Sequence, residues 1–159
     1  GSVIINNWNR IKERVRFHSG ILVKSKVFDV MRRAEFLENK LERALAQLEE
    51  QGYDISEADS MMDEFSNYID EAKEYFEFAK EKFDEAKEML DSDDYDREDV
   101  QELVKEGHEL IKQAHESLKD AHEASIEIIQ KIRETGSDNI DELLEDSDED
   151  LYVVEEVEE

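Results

Sequence analysis

Three histidines set seven residues apart, His108, His115 and His122, are the residues best placed to do chemistry, and a glutamate follows each: Glu109, Glu116 and Glu123. On a helix a step of seven returns to the same side, so the imidazoles form a line with carboxylates beside it, a donor set that suits Zn²⁺ or Cu²⁺. The spacing argues against one shared ion. Ligands on a single helix converge when they are three or four residues apart, whereas seven residues span about 10 Å. The order is also wrong for a di-iron bundle site, which needs Glu-x-x-His with the glutamate first. We assign no metal site to the ladder.

The second candidate is the acidic turn from Asp91 to Glu102. It resembles a twelve-residue EF-hand loop at positions 1, 3, 9 and 12, filled by Asp91, Asp93, Asp99 and Glu102. It departs at position 5 (Tyr95), at position 6 (Asp96 in place of the turn glycine) and at position 8 (Glu98 in place of an apolar residue). Weak Ca²⁺ binding is the most that such a turn supports. Acids that cap the next helix explain the same residues, with Asp96 or Asp94 at the cap and Glu98 and Asp99 at the positive helix end. No Gly-rich phosphate loop and no Ser set beside a base is present, and the chain has no Cys. No enzyme activity and no cofactor is expected.

The elements that carry these residues follow from a seven-residue period. Ala72-Lys73-Glu74, Ala79-Lys80-Glu81 and Ala86-Lys87-Glu88 recur in one half, and Gly107-His108-Glu109, Ala114-His115-Glu116 and Ala121-His122-Glu123 in the other. Small apolar residues in heptad phase mark helices packed side by side. The expected fold is all-α: an antiparallel, up-down-up three-helix bundle over 21–135, with helices near 21–51, 56–91 and 97–134. A short N-terminal helix over 1–20 precedes it and a disordered acidic tail over 136–159 follows.

The first seam is Val27, Val30, Ala34, Leu37, Leu41, Ala44 and Leu48, with Gly52 as the residue past the helix end. Asp54 or Ser56 is set to cap the second helix, where Ser56-Glu57-Ala58-Asp59 has capping-box form. The second seam places Met62, Ile69, Phe76, Phe83 and Leu90 at a and Ala58, Phe65, Ala72, Ala79 and Ala86 at d, with Tyr68, Tyr75 and Phe78 broadening the apolar face. The third places Val104, Ile111, Leu118, Ser125 and Ile132 at a and Gly107, Ala114, Ala121 and Ile128 at d. With the turn near residue 94, facing residue numbers of these two helices add to about 188. That register sets His108 opposite Lys80, His115 opposite Lys73 and His122 opposite Ser66, and ammonium groups beside imidazoles repel a cation.

At the N-terminus Ile4, Trp8, Ile11 and Val15 share a helical face, with Trp8 as a core anchor, before His18-Ser19-Gly20 interrupts. A hairpin of Val15, Phe17, Ile21 and Val23 is the rival reading for this stretch. Gly1-Ser2 has the look of a tag-cleavage scar, so the natural N-terminus and any targeting signal on it stand outside this reading, and the compartment is unknown. No apolar run approaches the ~20 residues of a membrane span.

Residues 137–159 contain twelve acids and no Lys or Arg. Within them Leu151, Tyr152, Val153, Val154 and Val157 form a β-prone apolar core flanked by acids. This stretch resembles SUMO-interacting motifs, which add a strand to a partner's sheet edge, and the resemblance implies a partner-binding role for these five residues.

Charge narrows the function classes. Residues 1–50 hold ten Lys/Arg against seven Asp/Glu, while residues 51–159 hold ten against thirty-nine. A net charge of −26 repels nucleic acid and anionic lipid and attracts basic protein surfaces. The leading expectation is a non-enzymatic acidic interaction or scaffold module for a partner protein with a basic surface, without direct nucleic-acid binding and with homo-oligomers possible. A nucleic-acid-mimicking inhibitor of a DNA-binding protein is the first alternative, similar in its acidity to small helical anti-restriction proteins of phages. A weakly Ca²⁺-binding extracellular or cell-envelope module is the second.

Overall fold

The computed structural model describes residues 2–92 and 94–135, with side chains from Lys26 onward. Within that range the chain forms three helices and no strand: α1 (Ser2–Glu50), α2 (Ser56–Asp91) and α3 (Arg97–Thr135). Asp93 and the acidic tail, including Leu151, Tyr152, Val153, Val154 and Val157, lie outside the described residues, as does the Trp8 side chain.

The first helix corrects the sequence reading. In place of a short N-terminal helix and a break at His18-Ser19-Gly20, α1 runs unbroken through all three residues, and the hairpin reading falls with it. One glycine costs a helix only about 1 kcal/mol, and the chain has no proline to remove an amide donor or clash with the preceding turn. Gly20 keeps helical backbone; Gly52 is the glycine with positive φ, at 91°. There the helix does stop. Tyr53 N–H donates to Leu48 O at 3.1 Å and Gly52 N–H to Glu49 O at 3.0 Å, the paired bonds of a Schellman ending.

The start of α2 differs in detail from the capping-box expectation. Ile55 holds the N-cap position and makes no side-chain cap bond. Asp54 acts one residue earlier: its Oδ1 accepts Ser56 N–H at 3.1 Å and Ser56 Oγ–H at 2.7 Å. These two bonds, the hydroxyl's first, hold the Asp54 carboxyl below its ordinary range. At α3 the expected cap forms, with Asp96 Oδ1 accepting Glu98 N–H at 2.9 Å.

The core divides along the helix axes. Val27, Val30 and Met31 pack with residues of α2 from Ala72 to Leu90 and of α3 from Val100 to Leu118. Leu37, Leu41, Ala44, Leu45 and Leu48 pack with Ala58 to Ile69 and Ala121 to Ile132. All ten seam residues assigned to α2 are buried. At about 25 cal/mol per Å² of apolar surface, burial of these seams is what holds helices of such charged composition together.

Candidate functional site

Two features organise the surface: the small-residue seam between α2 and α3, and the acids on the far side of α2. The seam is tight at Gly107, where a Cβ would stand 2.8 Å from Cε1 and Cζ of Phe83 and 3.1 Å from Cε2. The glycine is a notch that takes the ring. The exposed ion pairs Lys82–Glu106 (3.2 Å) and Lys131–Glu57 (2.8 Å) flank the same contact, and the residue numbers of each pair sum to 188. The partner glutamate is the main cause that lifts each lysine above its ordinary pKa. Both pairs are exposed, so they set register more than they add stability.

The histidine ladder lies along the edge of this contact. His115 is buried, at 8% exposure, and His108 and His122 are half-buried. His108 meets the Phe83 ring edge-on, with centroids 5.7 Å apart. The backbone carbonyl of His122 accepts Ser125 Oγ–H at 2.6 Å, and its Nδ1 is enclosed without a hydrogen-bond partner. Lys73 does not stay with the ladder. Its Nζ turns to Glu35 of α1, 3.3 Å away. Among the described residues no three His, Asp or Glu side chains converge as a metal site would require. Of the turn acids, Asp91 ends α2, while Asp99 and Glu102 sit exposed in the first turns of α3.

The outer side of α2 is densely acidic. Every Asp and Glu from Glu57 to Asp91 is exposed. Asp70, Glu74, Glu77, Glu81, Asp84 and Glu88 follow at steps of 4-3-4-3-4, which draws one straight row along the helix. None of the six is within ion-pair distance of a cation among the described residues. Beside the middle of the row Phe78 is 44% exposed.

That exposure is a second correction, because the sequence reading sets Phe78 on the apolar face with Tyr68 and Tyr75. The two tyrosines are half-buried; Phe78 is not. The signal was present in the sequence: with Met62 at a, Phe78 falls at c, in column with Glu64, Glu71 and Glu85. Phe36 of α1, 53% exposed, has no assignment in the sequence reading.

A shallow open hollow of about 740 Å³ beside α3 is lined mainly by charged groups, among them Lys82, Glu98, Glu102, Lys105 and Glu106. It lies open to solvent and so does not enclose a small ligand. Among the described residues no helix is long and apolar enough to cross a membrane. Compared with protein-family models, curated proteins and solved structures, the chain matches none.

Proposed function

We propose that the chain is an up-down-up three-helix bundle acting without catalysis, as an interaction or scaffold module that offers the acidic outer face of α2 to a basic protein surface. The ion-pair registers support the up-down-up course, since residue numbers rise on α3 as they fall on α2. The observation that carries the function is the row from Asp70 to Glu88. Like charges at steps of three and four destabilise a helix by about 0.2–0.5 kcal/mol per pair, so the row weakens the element that displays it. Solubility asks only for net charge, not for carboxylates in line. Phe78 adds what a solvated face lacks, an exposed ring among Glu74, Glu77, Glu81 and Glu85. A partner with Arg or Lys around a small apolar contact complements both, with an Arg plane suited to stack on the ring.

The experiment is affinity capture with the parent chain and with a Glu77→Lys/Phe78→Ala/Glu81→Lys variant whose helical content is checked by circular dichroism. A basic partner recovered by the parent and lost with the variant is the expected result. Equal recovery by both removes α2 as the docking face. The tail residues Leu151, Tyr152, Val153, Val154 and Val157 are a second candidate contact, separable in the same experiment by Val153→Asp.

One observation favours the nucleic-acid-mimic reading as runner-up. Eleven acids lie between Asp63 and Asp91. At 1.5 Å per residue they are spread over about 42 Å, roughly one charge per 4 Å, against about 3.4 Å per phosphate along one DNA strand. If the captured partner is a DNA-binding protein and duplex DNA displaces it, this reading takes precedence.

A further inference from the structure

A cluster of cations sits on the outer face of α1, with the exposed Asp29 one turn before Arg33. Arg33, Phe36, Lys40 and Arg43 fall at steps of 3-4-3 on one side of the helix, with Arg32 beside them. Phe36 is 53% exposed, Lys40 Nζ sits 4.8 Å from its ring centroid, and the Arg32 guanidinium lies 5.7 Å over Phe28. Among the described residues no carboxylate lies within 4.0 Å of Arg32, Arg33 or Arg43, although the chain holds 46 acids. Cations interleaved with an exposed aromatic ring form a surface for an acidic chain.

We propose that the outer face of α1 is a docking surface whose occupant is this chain's own residues 137–159. Charge complementarity is the first argument: those residues hold twelve acids and no Lys or Arg, while Arg32, Arg33, Lys40 and Arg43 gather on one side of α1 within a stretch, 26–50, that as a whole holds five Lys/Arg against six Asp/Glu. Reach is the second. Lys131 of α3 pairs with Glu57 of α2, and Glu57 is seven residues from Glu50, so α3 ends beside the C-terminal end of α1. Arg43 is then about 10 Å and Arg32 about 27 Å along α1 from that end. With helix axes about 9 Å apart, an extended chain covers those distances in roughly five and nine residues. The stretch that arrives is Asp138 to Asp146, where Asp138, Asp141, Glu142, Glu145 and Asp146 alternate with Ile140, Leu143 and Leu144. The carboxylates of this stretch suit the guanidinium groups, and its aliphatic residues suit Phe36.

Tethering decides between possible acidic occupants. A segment joined by a short linker works at an effective concentration of about millimolar, which a free acidic protein does not reach. Nucleic acid and anionic lipid bring the same charge sign, but the acidic remainder of the molecule repels both. This inference is independent of the partner proposed for α2.

The test uses the full chain. Because the sequence has no Cys, Ser147→Cys takes a single nitroxide label. Paramagnetic broadening of backbone amides is then recorded at low salt. Signals of α1 near Arg32 to Phe36 are expected to broaden several-fold more than those of the outer faces of α2 and α3. The difference should vanish in an Arg32→Glu/Arg33→Glu/Arg43→Glu variant and at 1 M salt, where screening acts beyond about 3 Å. All three arginines are exposed, and circular dichroism confirms that the variant stays helical. Equal broadening on all helices, or α1 broadening that survives charge reversal, overturns the proposal. So does broadening in a mixture of labelled chain with unlabelled isotope-enriched chain, because the occupant is then a second copy.

Discussion

Gly107→Ala puts the α2–α3 seam to a quantitative test, because two effects of opposite sign meet at one atom. Replacing glycine by alanine inside a helix is worth about 0.8–1.0 kcal/mol in the helix's favour. At this position the added methyl would lie 2.8 Å from two atoms of the Phe83 ring, where carbon atoms prefer roughly 3.5–4.0 Å. The ring must withdraw by about 0.7 Å or more. It has nowhere free to go, since Phe83 is 1% exposed and the His108 ring packs perpendicular to it. Overpacking of that kind costs about 1–3 kcal/mol, including the strain of a side chain pushed off its rotamer. The clash exceeds the propensity gain, and Gly107→Ala should destabilise by about 1 kcal/mol, within a range of roughly 0–2. Urea unfolding followed by circular dichroism, with linear extrapolation, reads this directly. The same substitution in a Phe83→Leu background should stabilise by about 1 kcal/mol, because the ring atoms it strikes are gone, for a coupling of about 2 kcal/mol. If Gly107→Ala stabilises the parent chain by the full helix-propensity amount, the ring does not occupy the notch and the seam is wrong.

Further outcomes follow from the same geometry. Leu41→Ala, at 0% exposure, should cost about 2–5 kcal/mol in urea unfolding, while Phe78→Ala should stay within about 0.5 kcal/mol of the parent although it weakens partner capture. Glu77→Lys and Glu81→Lys each remove like-charge contacts along the acidic row, so the double variant should melt at a higher temperature than the parent and bind its partner less well. Raising salt should raise the melting temperature, because screening relieves the self-repulsion of a chain at −26 more than it weakens a few exposed ion pairs. Asp54→Ala should lower the melting temperature at neutral pH. The folded Asp54 carboxyl is held below its unfolded value, so its stabilisation is complete above the unfolded pKa and disappears as pH falls through the folded one; the deficit of the variant should close on acidification.

Much of this protein follows from spacing alone, because the heptad period is a local property. All ten buried residues of α2, the glycine that ends α1 and the Asp96 cap of α3 can be named from the sequence, since each depends on residues within a turn or two. The register of 188 follows from turn position and seam phase, which one chain segment also contains. The unbroken course of α1 through Gly20 was not legible in the same way. A glycine between two amphipathic stretches permits either a break or a continuation, and the local cost of continuing is small.

The residues beside the seam were decided by tertiary structure. With Val104 at a, His115 and Ile129 fall at e and Ser117 at g, flanks whose coverage no heptad phase specifies; all three are buried, while Ile126, at b on the outer side, is 38% exposed. Coverage depends on where α1 lies, and no period within α2 and α3 specifies that. Lys73 shows the same point, since sequence sets it opposite His115 and the fold gives it Glu35 of α1. The histidine ladder was therefore fully visible in the sequence as a pattern, but its chemistry was set by neighbours that only the fold supplies.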